Sequence, residues 1–221
     1  MTRKQDRWSD PNKYKARQEV IVAGYRRFVA NRLPNGQKFY SLCGEQGGGM
    51  SEMRCLLDAG LIGEEQFVGI DGDDAKISGN ADLFPRSEWI CGDWLDTLNE
   101  LSHKDGWNPA VVHVDTLNMS DGKAGVDMAL GTMNLVSSCC HAGLVKHPVL
   151  VVANLVVRNP HSGRVVHPDN FRISMRGAIE HQELYLKDDE LARSYSYRMR
   201  GGKGRGRPAD MRSYRFLIRP L

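Results

Sequence analysis

No apolar run in the 221-residue sequence comes near the ~20 residues that a bilayer-spanning helix needs. The opening stretch, MTRKQDRWSDPNKYKARQ, lacks the apolar core of a secretory signal. Cysteine is scarce, with five residues and none at metal-ligand spacing, which argues against a zinc ribbon or a disulfide framework. Cys139 and Cys140 are adjacent and rarely placed to bridge, so all five read as free thiols in a reducing, cytoplasmic setting. His141, His147, His161 and His167 have no Cys, Asp or Glu companions at ligand spacing, and no metal is expected. Internal repeats are absent and no composition shift marks a boundary. A hydrophobic fraction of 41% with 26% charge decides against disorder and for one domain over 1–221.

Charge of one sign is not missing but segregated. The net charge is only +3, yet residues 1–38 carry +7 and residues 191–221 carry +8, leaving −12 between them. Basic ends around an acidic centre point to a polyanionic partner or, more blandly, to solubilising termini.

Asp10-Pro11 ahead of Tyr14, Val20, Ile21, Tyr25 and Phe28 predicts a helix running to the breaker Leu33-Pro34-Asn35-Gly36, an N-terminal helical extension over 1–36. Lys38–Cys43, Phe67–Ile70, Trp89–Cys91, Ala110–Val114 and His147–Val157 read as short apolar strands. Helical segments at Ser51–Ala59, Asp93–Leu101 and roughly Gly125–Ala142 separate them. This is the pattern of an α/β fold, a Rossmann-like, mostly parallel sheet flanked by helices. Ser194–Arg200 and Arg212–Arg219 alternate instead, and with the glycine-rich stretch between them predict a basic, antiparallel C-terminal hairpin over 191–221.

Ligands of such sheets sit at the carboxyl ends of the strands. The densest feature there is Cys43-Gly44-Glu45-Gln46-Gly47-Gly48-Gly49-Met50-Ser51, where three consecutive glycines let a ligand lie against the backbone. A dinucleotide fingerprint would need a glycine where Glu52 stands, and a phosphate-cradling loop would need a lysine that is missing. A carboxylate at Glu45 repels a pyrophosphate but suits a ligand bearing an ammonium and a sulfonium. Asp71 lies 22 residues after Gly49, the distance at which an acidic residue reads a ribose, or else it is only a turn residue of Asp71-Gly72-Asp73-Asp74. Asp93 either serves a ligand or caps the following helix. Met50, Met128 and Met133 read as core fillers by side chain.

On these residues the sequence resembles the class I S-adenosylmethionine-dependent methyltransferases, whose first motif is an acidic residue followed by alternating small residues. The resemblance spans about 38–219, with Ser51 in place of a third glycine and Gln46 where the family usually has a smaller residue. It implies a last strand that is antiparallel and inserted in the sheet. It also implies S-adenosylmethionine as cofactor, with S-adenosylhomocysteine as the product form. Gly44, Glu45, Gln46, Gly47, Gly48, Gly49 and Met50 would hold its methionine part, and Asp71 with Gly72 its ribose. Asp93 with Gly92 would meet the adenine amino group, and Trp94 would cover the ring.

The acceptor side is expected after Val111–Asp115. Asp115 would orient or deprotonate the acceptor, or merely cap a loop, and Asn118 would hydrogen-bond a base edge. Neither the Asn/Asp-Pro-Pro-Tyr/Phe signature nor a Pro-Cys nucleophile is present. Lys203-Gly204-Arg205-Gly206-Arg207-Pro208 resembles the core of an AT-hook, which lays arginine in the narrow minor groove of A·T tracts. Arg198 and Arg200, interleaved with Tyr195 and Tyr197, extend that basic surface. The reading is therefore a methyltransferase with a nucleic-acid acceptor, A·T-rich DNA being the first to try. A non-enzymatic nucleic-acid-binding protein with a degenerate pocket is the alternative. An oxidoreductase is disfavoured by Glu52, and an enzyme that cleaves the cofactor is a further reading.

Overall fold

The computed structural model of the chain describes residues 11–115, 123–158, 195–198 and 210–220. One helical path opens it: α1 (Pro11–Arg17), a π turn (Gln18–Val22) and α2 (Ala23–Phe28). The helix stops at Phe28, earlier than the Pro34 breaker, and an extended connection leads to β1 (Lys38–Leu42). Then follow α3 (Glu52–Asp58), β2 (Phe67–Asp71), α4 (Asp74–Leu83), β3 (Glu88–Cys91), α5 (Trp94–Ser102), β4 (Pro109–Asp115), α6 (Lys123–His141) and β5 (Val149–Arg158). The closing strands are β6 (Tyr195–Arg198) and β7 (Asp210–Ile218).

The strands form one seven-stranded sheet in the order β3-β2-β1-β4-β5-β7-β6. β1 to β5 pair in parallel, while β7 runs antiparallel between β5 and β6. The expected Rossmann-like sheet with a reversed, inserted last strand is what the chain forms. It winds outward from β1 to β3, returns, and continues through β4 to β5, so the direction of winding reverses between β1 and β4. Such a reversal opens a crevice at the carboxyl ends of those two strands.

Alternate residues of each strand feed two cores, as the two-residue period requires. On one face Tyr40, Ile70, Val112, Val114, Val151 and Phe216 pack with Trp94, Leu98, Met133 and Val136 from α5 and α6. On the other Phe39, Phe67, Val111, Val152 and Leu217 meet Ile21, Tyr25, Met53 and Leu56 from the opening helix and α3. Each such buried side chain contributes roughly 1.5–3 kcal/mol.

The sequence pattern did not foretell α4. Only Ile77 and Asn80 of its ten residues are buried, so no apolar stripe announces it. Asp73 starts it instead, accepting from the Ala75 and Lys76 amides at 3.1 and 3.4 Å. All five cysteines are free. Among the described residues no helix is long and apolar enough to cross a membrane.

Candidate functional site at the carboxyl ends of the strands

The glycine segment leaves β1 and reaches α3 through a loop pinned from inside. Gln46 is buried: its amide donates to Asn80 Oδ1 at 2.8 Å, its side-chain NH₂ to the Gly44 carbonyl at 3.1 Å, and its Oε1 accepts from the Met53 amide at 3.0 Å. Asn80 Nδ2 also donates to the Gly44 carbonyl, so α4 braces the loop as much as α3 does. Gln46 is thus the loop's internal brace, and its side chain is not presented to a ligand. Ser51 caps α3 by accepting from the Arg54 amide at 3.3 Å.

What the loop offers outward is backbone. Gly47 and Gly49 are exposed, and neither has the positive φ that only glycine tolerates well. A methyl group at Gly49 would meet no atom within 4 Å. Nothing in the fold asks for glycine at that position, so its lack of a side chain leaves room beside the backbone. Glu45, half-buried next to it, makes no hydrogen bond or ion pair among the described residues. Met50 is 38% exposed, which corrects the core-filler reading: its side chain lies open at the same edge, whereas Met133 is buried.

The other two strand-end carboxylates have internal jobs. Asp71 Oδ1 accepts from the Asp73 amide at 2.9 Å, and Lys76 Nζ approaches it at 3.4 Å, so the turn role is realised. Its side chain keeps 15% of its surface exposed. Asp93 caps α5 from Oδ1, with bonds from the Leu95 and Asp96 amides at 3.0 and 3.2 Å, which leaves Oδ2 out of the cap. Gly72 and Gly92 lie side by side at these two strand ends, a methyl at Gly72 reaching the Gly92 carbonyl at 4.0 Å. Trp94 corrects an expectation. It is 2% exposed, sits in the core and donates from Nε1 to Thr132 Oγ1 at 2.8 Å, so it is not free to cover a ring in an open crevice.

Asp115 ends β4 inside a buried charge cluster that the sequence did not announce. Its Oδ2 lies 2.6 Å from Lys13 Nζ and 3.6 Å from Arg17 Nη2, and its side chain is 4% exposed. Burial alone would raise its pKa, but Lys13, His113 and Arg17 outweigh that and hold it at about 2. Burial also pulls the Lys13 ammonium below its ordinary value against the lift from Asp115. The short contact and the depressed acid decide for an ionised pair. A carboxylate this acidic is a poor proton acceptor, so of its two expected roles orientation is the one the geometry favours. Its second oxygen, Oδ1, is buried without a hydrogen-bond partner among the described residues.

Beside this pair, Glu52 accepts from Ser41 Oγ at 2.7 Å and sits in a close contact with His113 Nδ1. Burial opposes ionisation of Glu52, yet His113 and Arg17 bring its pKa below the ordinary value. His113 Nε2 meets Asn154 Nδ2 at 2.8 Å, and Asn154 Oδ1 accepts from Ser213 Oγ. The chain of contacts therefore crosses β1, β4, β5 and β7 on one face. Glu52, which excluded a dinucleotide fingerprint, is accommodated because the sheet supplies polar partners for it. The sequence did carry a signal: Ser41, His113 and Asn154 interrupt strands that are otherwise apolar, and buried polar groups are paired.

Asn118, Lys203, Arg205, Arg207 and Arg200 lie outside the described residues. Arg198 closes β6, where its backbone pairs with Asp210, the first residue of β7. Asp210 also pairs with Arg158 at the carboxyl end of β5. Arg198 and Asp210 therefore both lie on the carboxyl-end side of the sheet, and α1 lies against β6. A groove of ≈ 630 Å³ between α5 and α6, lined by Leu95, Asn99, His103, Asn134, Ser138 and Leu144 among others, includes none of these strand-end residues. Among the described residues no group of three or more His, Cys, Asp or Glu is arranged to hold a metal ion.

No family model matches the chain, and no curated protein matches it by sequence. Solved structures do. A Pyrococcus horikoshii protein assigned as an RNA methyltransferase is 12% identical with a TM-score of 0.52, over 99% of this chain and 98% of that one. A precorrin-6y C5,15-methyltransferase from Geobacter metallireducens is 12% identical with a TM-score of 0.50, over 97% of this chain and 94% of that one. Together with the strand order, the likeness establishes the fold: that of the class I S-adenosylmethionine-dependent methyltransferases.

Proposed function

We propose that this chain is an S-adenosylmethionine-dependent methyltransferase whose acceptor is nucleic acid. The observation that carries the cofactor reading is the pairing of an unpartnered, half-buried carboxylate, Glu45, with the open backbone at Gly49, at the point where the sheet reverses its winding. A cationic ligand fits that pair and an anionic one does not. When bound, S-adenosylmethionine supplies a methyl group on a sulfonium, an electrophile that needs an oriented acceptor more than a base. Glu45 and the Gly47–Gly49 backbone hold its amino-acid end. Asp71, with Gly72, would accept from the ribose hydroxyls. Asp93 keeps α5 capped through Oδ1 and offers Oδ2, beside Gly92, to the adenine amino group. Asp115 orients the acceptor, and Asn118 contacts it.

The acceptor assignment rests on charge and topology. The two basic ends, separate in sequence, share a neighbourhood, because α1 lies against β6, and Arg198 and Asp210, which flank 199–209 in sequence, lie on the carboxyl-end side of the sheet. Lys203, Arg205 and Arg207, with Arg198 and Arg200, then meet phosphates beside the methyl donor. The neighbour from Pyrococcus horikoshii is assigned to RNA and the one from Geobacter metallireducens to a precorrin, so the fold accommodates both kinds of acceptor. The test is incorporation of labelled methyl into A·T-rich duplex, single-stranded DNA and RNA, alongside binding of each at rising salt. Incorporation into one of them, with binding that weakens at a log–log slope steeper than about −3, is expected from several neutralised phosphates. Salt-insensitive binding, or no incorporation into any of the three, would overturn the nucleic-acid assignment.

A further inference from the structure

The buried cluster contains one side chain that touches both halves of the crevice. Arg17, in the last turn of α1, is 4% exposed. Its Nη1 donates to the Met50 carbonyl at 3.2 Å, at the end of the glycine loop. Its Nη2 lies 3.6 Å from Asp115 Oδ2, on the strand beyond the reversal. Lys13, one turn earlier, takes the same carboxylate oxygen at 2.6 Å. The guanidinium therefore addresses the glycine loop and the end of β4 together.

Packing alone does not account for an arginine here. Burying a guanidinium carries a desolvation cost that a leucine or methionine of similar volume avoids. Among the described residues its Nε is buried without a hydrogen-bond partner, so the residue is not even optimised for its own satisfaction. What the planar fork provides is reach to two acceptors on separate elements at once, which an ammonium on a flexible stem does not reproduce. The backbone is shaped to deliver it. Positions 13, 17, 21 and 25 are all buried, and four-residue steps would spiral by about 40° each around an ideal helix. The π turn at Gln18–Val22 takes up part of that drift, joining the charged pair Lys13 and Arg17 to the apolar pair Ile21 and Tyr25 on one face.

We infer that Arg17 is a positioning residue that couples the cofactor loop to Asp115, making the N-terminal helix part of the methyl-transfer site. The inference rests on the cofactor reading above. Arg17 touches neither cofactor nor acceptor; it sets the Met50 carbonyl, and with it the backbone from Gly49 to Ser51, against the carboxylate that orients the acceptor.

The test is a double-mutant cycle of Arg17→Lys and Asp115→Asn, read as the dissociation constant for S-adenosylhomocysteine, with amide exchange of residues 47–51 measured on the ligand-free proteins. Arg17→Lys keeps the charge and loses the fork. It is expected to weaken S-adenosylhomocysteine about tenfold, the scale of coupling between linked sites. It is also expected to speed exchange at 47–51 while the 67–71 strand stays protected. In the double variant the two losses should combine to less than their product. A Tyr14→Phe variant on the same helix removes only the 3.4 Å bond to Asp58 and should bind as wild type does. Wild-type affinity in Arg17→Lys, or losses that simply multiply, overturns the coupling while leaving the cofactor reading intact. A wild-type chain that binds no S-adenosylhomocysteine overturns the cofactor reading, and the inference with it.

Discussion

At the scale of single residues, the exposed half of the site was legible in the sequence and the buried half was not. Glu45, Asp71 and Asp93 announce themselves because each follows an apolar strand, although Asp71 also holds its turn and Asp93 caps α5. Lys13 and Arg17 read only as part of the basic N-terminal end and Glu52 only as a break in a dinucleotide fingerprint, since their partners lie dozens of residues away and only folding brings them together. Removing one member should expose the cost of that arrangement. Lys13→Met leaves Asp115 buried with Arg17 alone and is expected to lower stability by on the order of 3 kcal/mol, with Lys13→Met/Asp115→Leu recovering much of it. The same pair sets an acid limit. Asp115 falls from an ordinary 3.8 to about 2 on folding, so its contribution is complete above about pH 4 and is lost as pH drops through about 2. Denaturant titrations should show wild type losing roughly 2 kcal/mol more over that interval than Asp115→Asn. Parallel acid limbs for the two proteins would refute the assignment.

At the scale of elements, the strands were readable because parallel strands covered on both faces become near-continuous runs of Val, Ile and Leu. The predicted and observed strands differ by a residue or two at their ends. α4 was not readable, because its hold on the fold is polar: a cap at Asp73 and the bonds from Asn80 to the glycine loop. One glycine inside a strand shows how tightly the elements close. A methyl at Gly69 in β2 would fall 2.8 Å from Cys43 Sγ and press into the Trp89 ring. That ring lies tilted against Phe67 with centroids 5.4 Å apart, so it has little room to retreat. Gly69→Ala should therefore destabilise by about 1–3 kcal/mol in chemical denaturation, the range for overpacking. Wild-type stability would mean that β2 and β3 are looser than the packing indicates.

At the scale of the whole molecule, topology turns a scattered sequence pattern into one edge. The glycine loop, the end of β4 and the opening helix meet around β1 and β4, and Arg198 and Asp210, which flank the basic stretch, lie on the same carboxyl-end side of the sheet at β6 and β7. The short apolar runs specified the sheet, but which ends of the chain would meet had to come from the insertion of β7 between β5 and β6. The central claim, a cofactor lying on the glycine backbone, is tested most directly by calorimetric titration of S-adenosylhomocysteine into wild type and Gly49→Ala. The added methyl meets no atom of the protein and its φ suits alanine, so folding stability should hold or rise slightly. The account predicts clear binding to wild type and a loss of about tenfold or more, roughly 1.4 kcal/mol, in the variant. Equal affinity for both proteins would mean that the ligand does not lie on this backbone, and no binding to either would contradict the account at its centre.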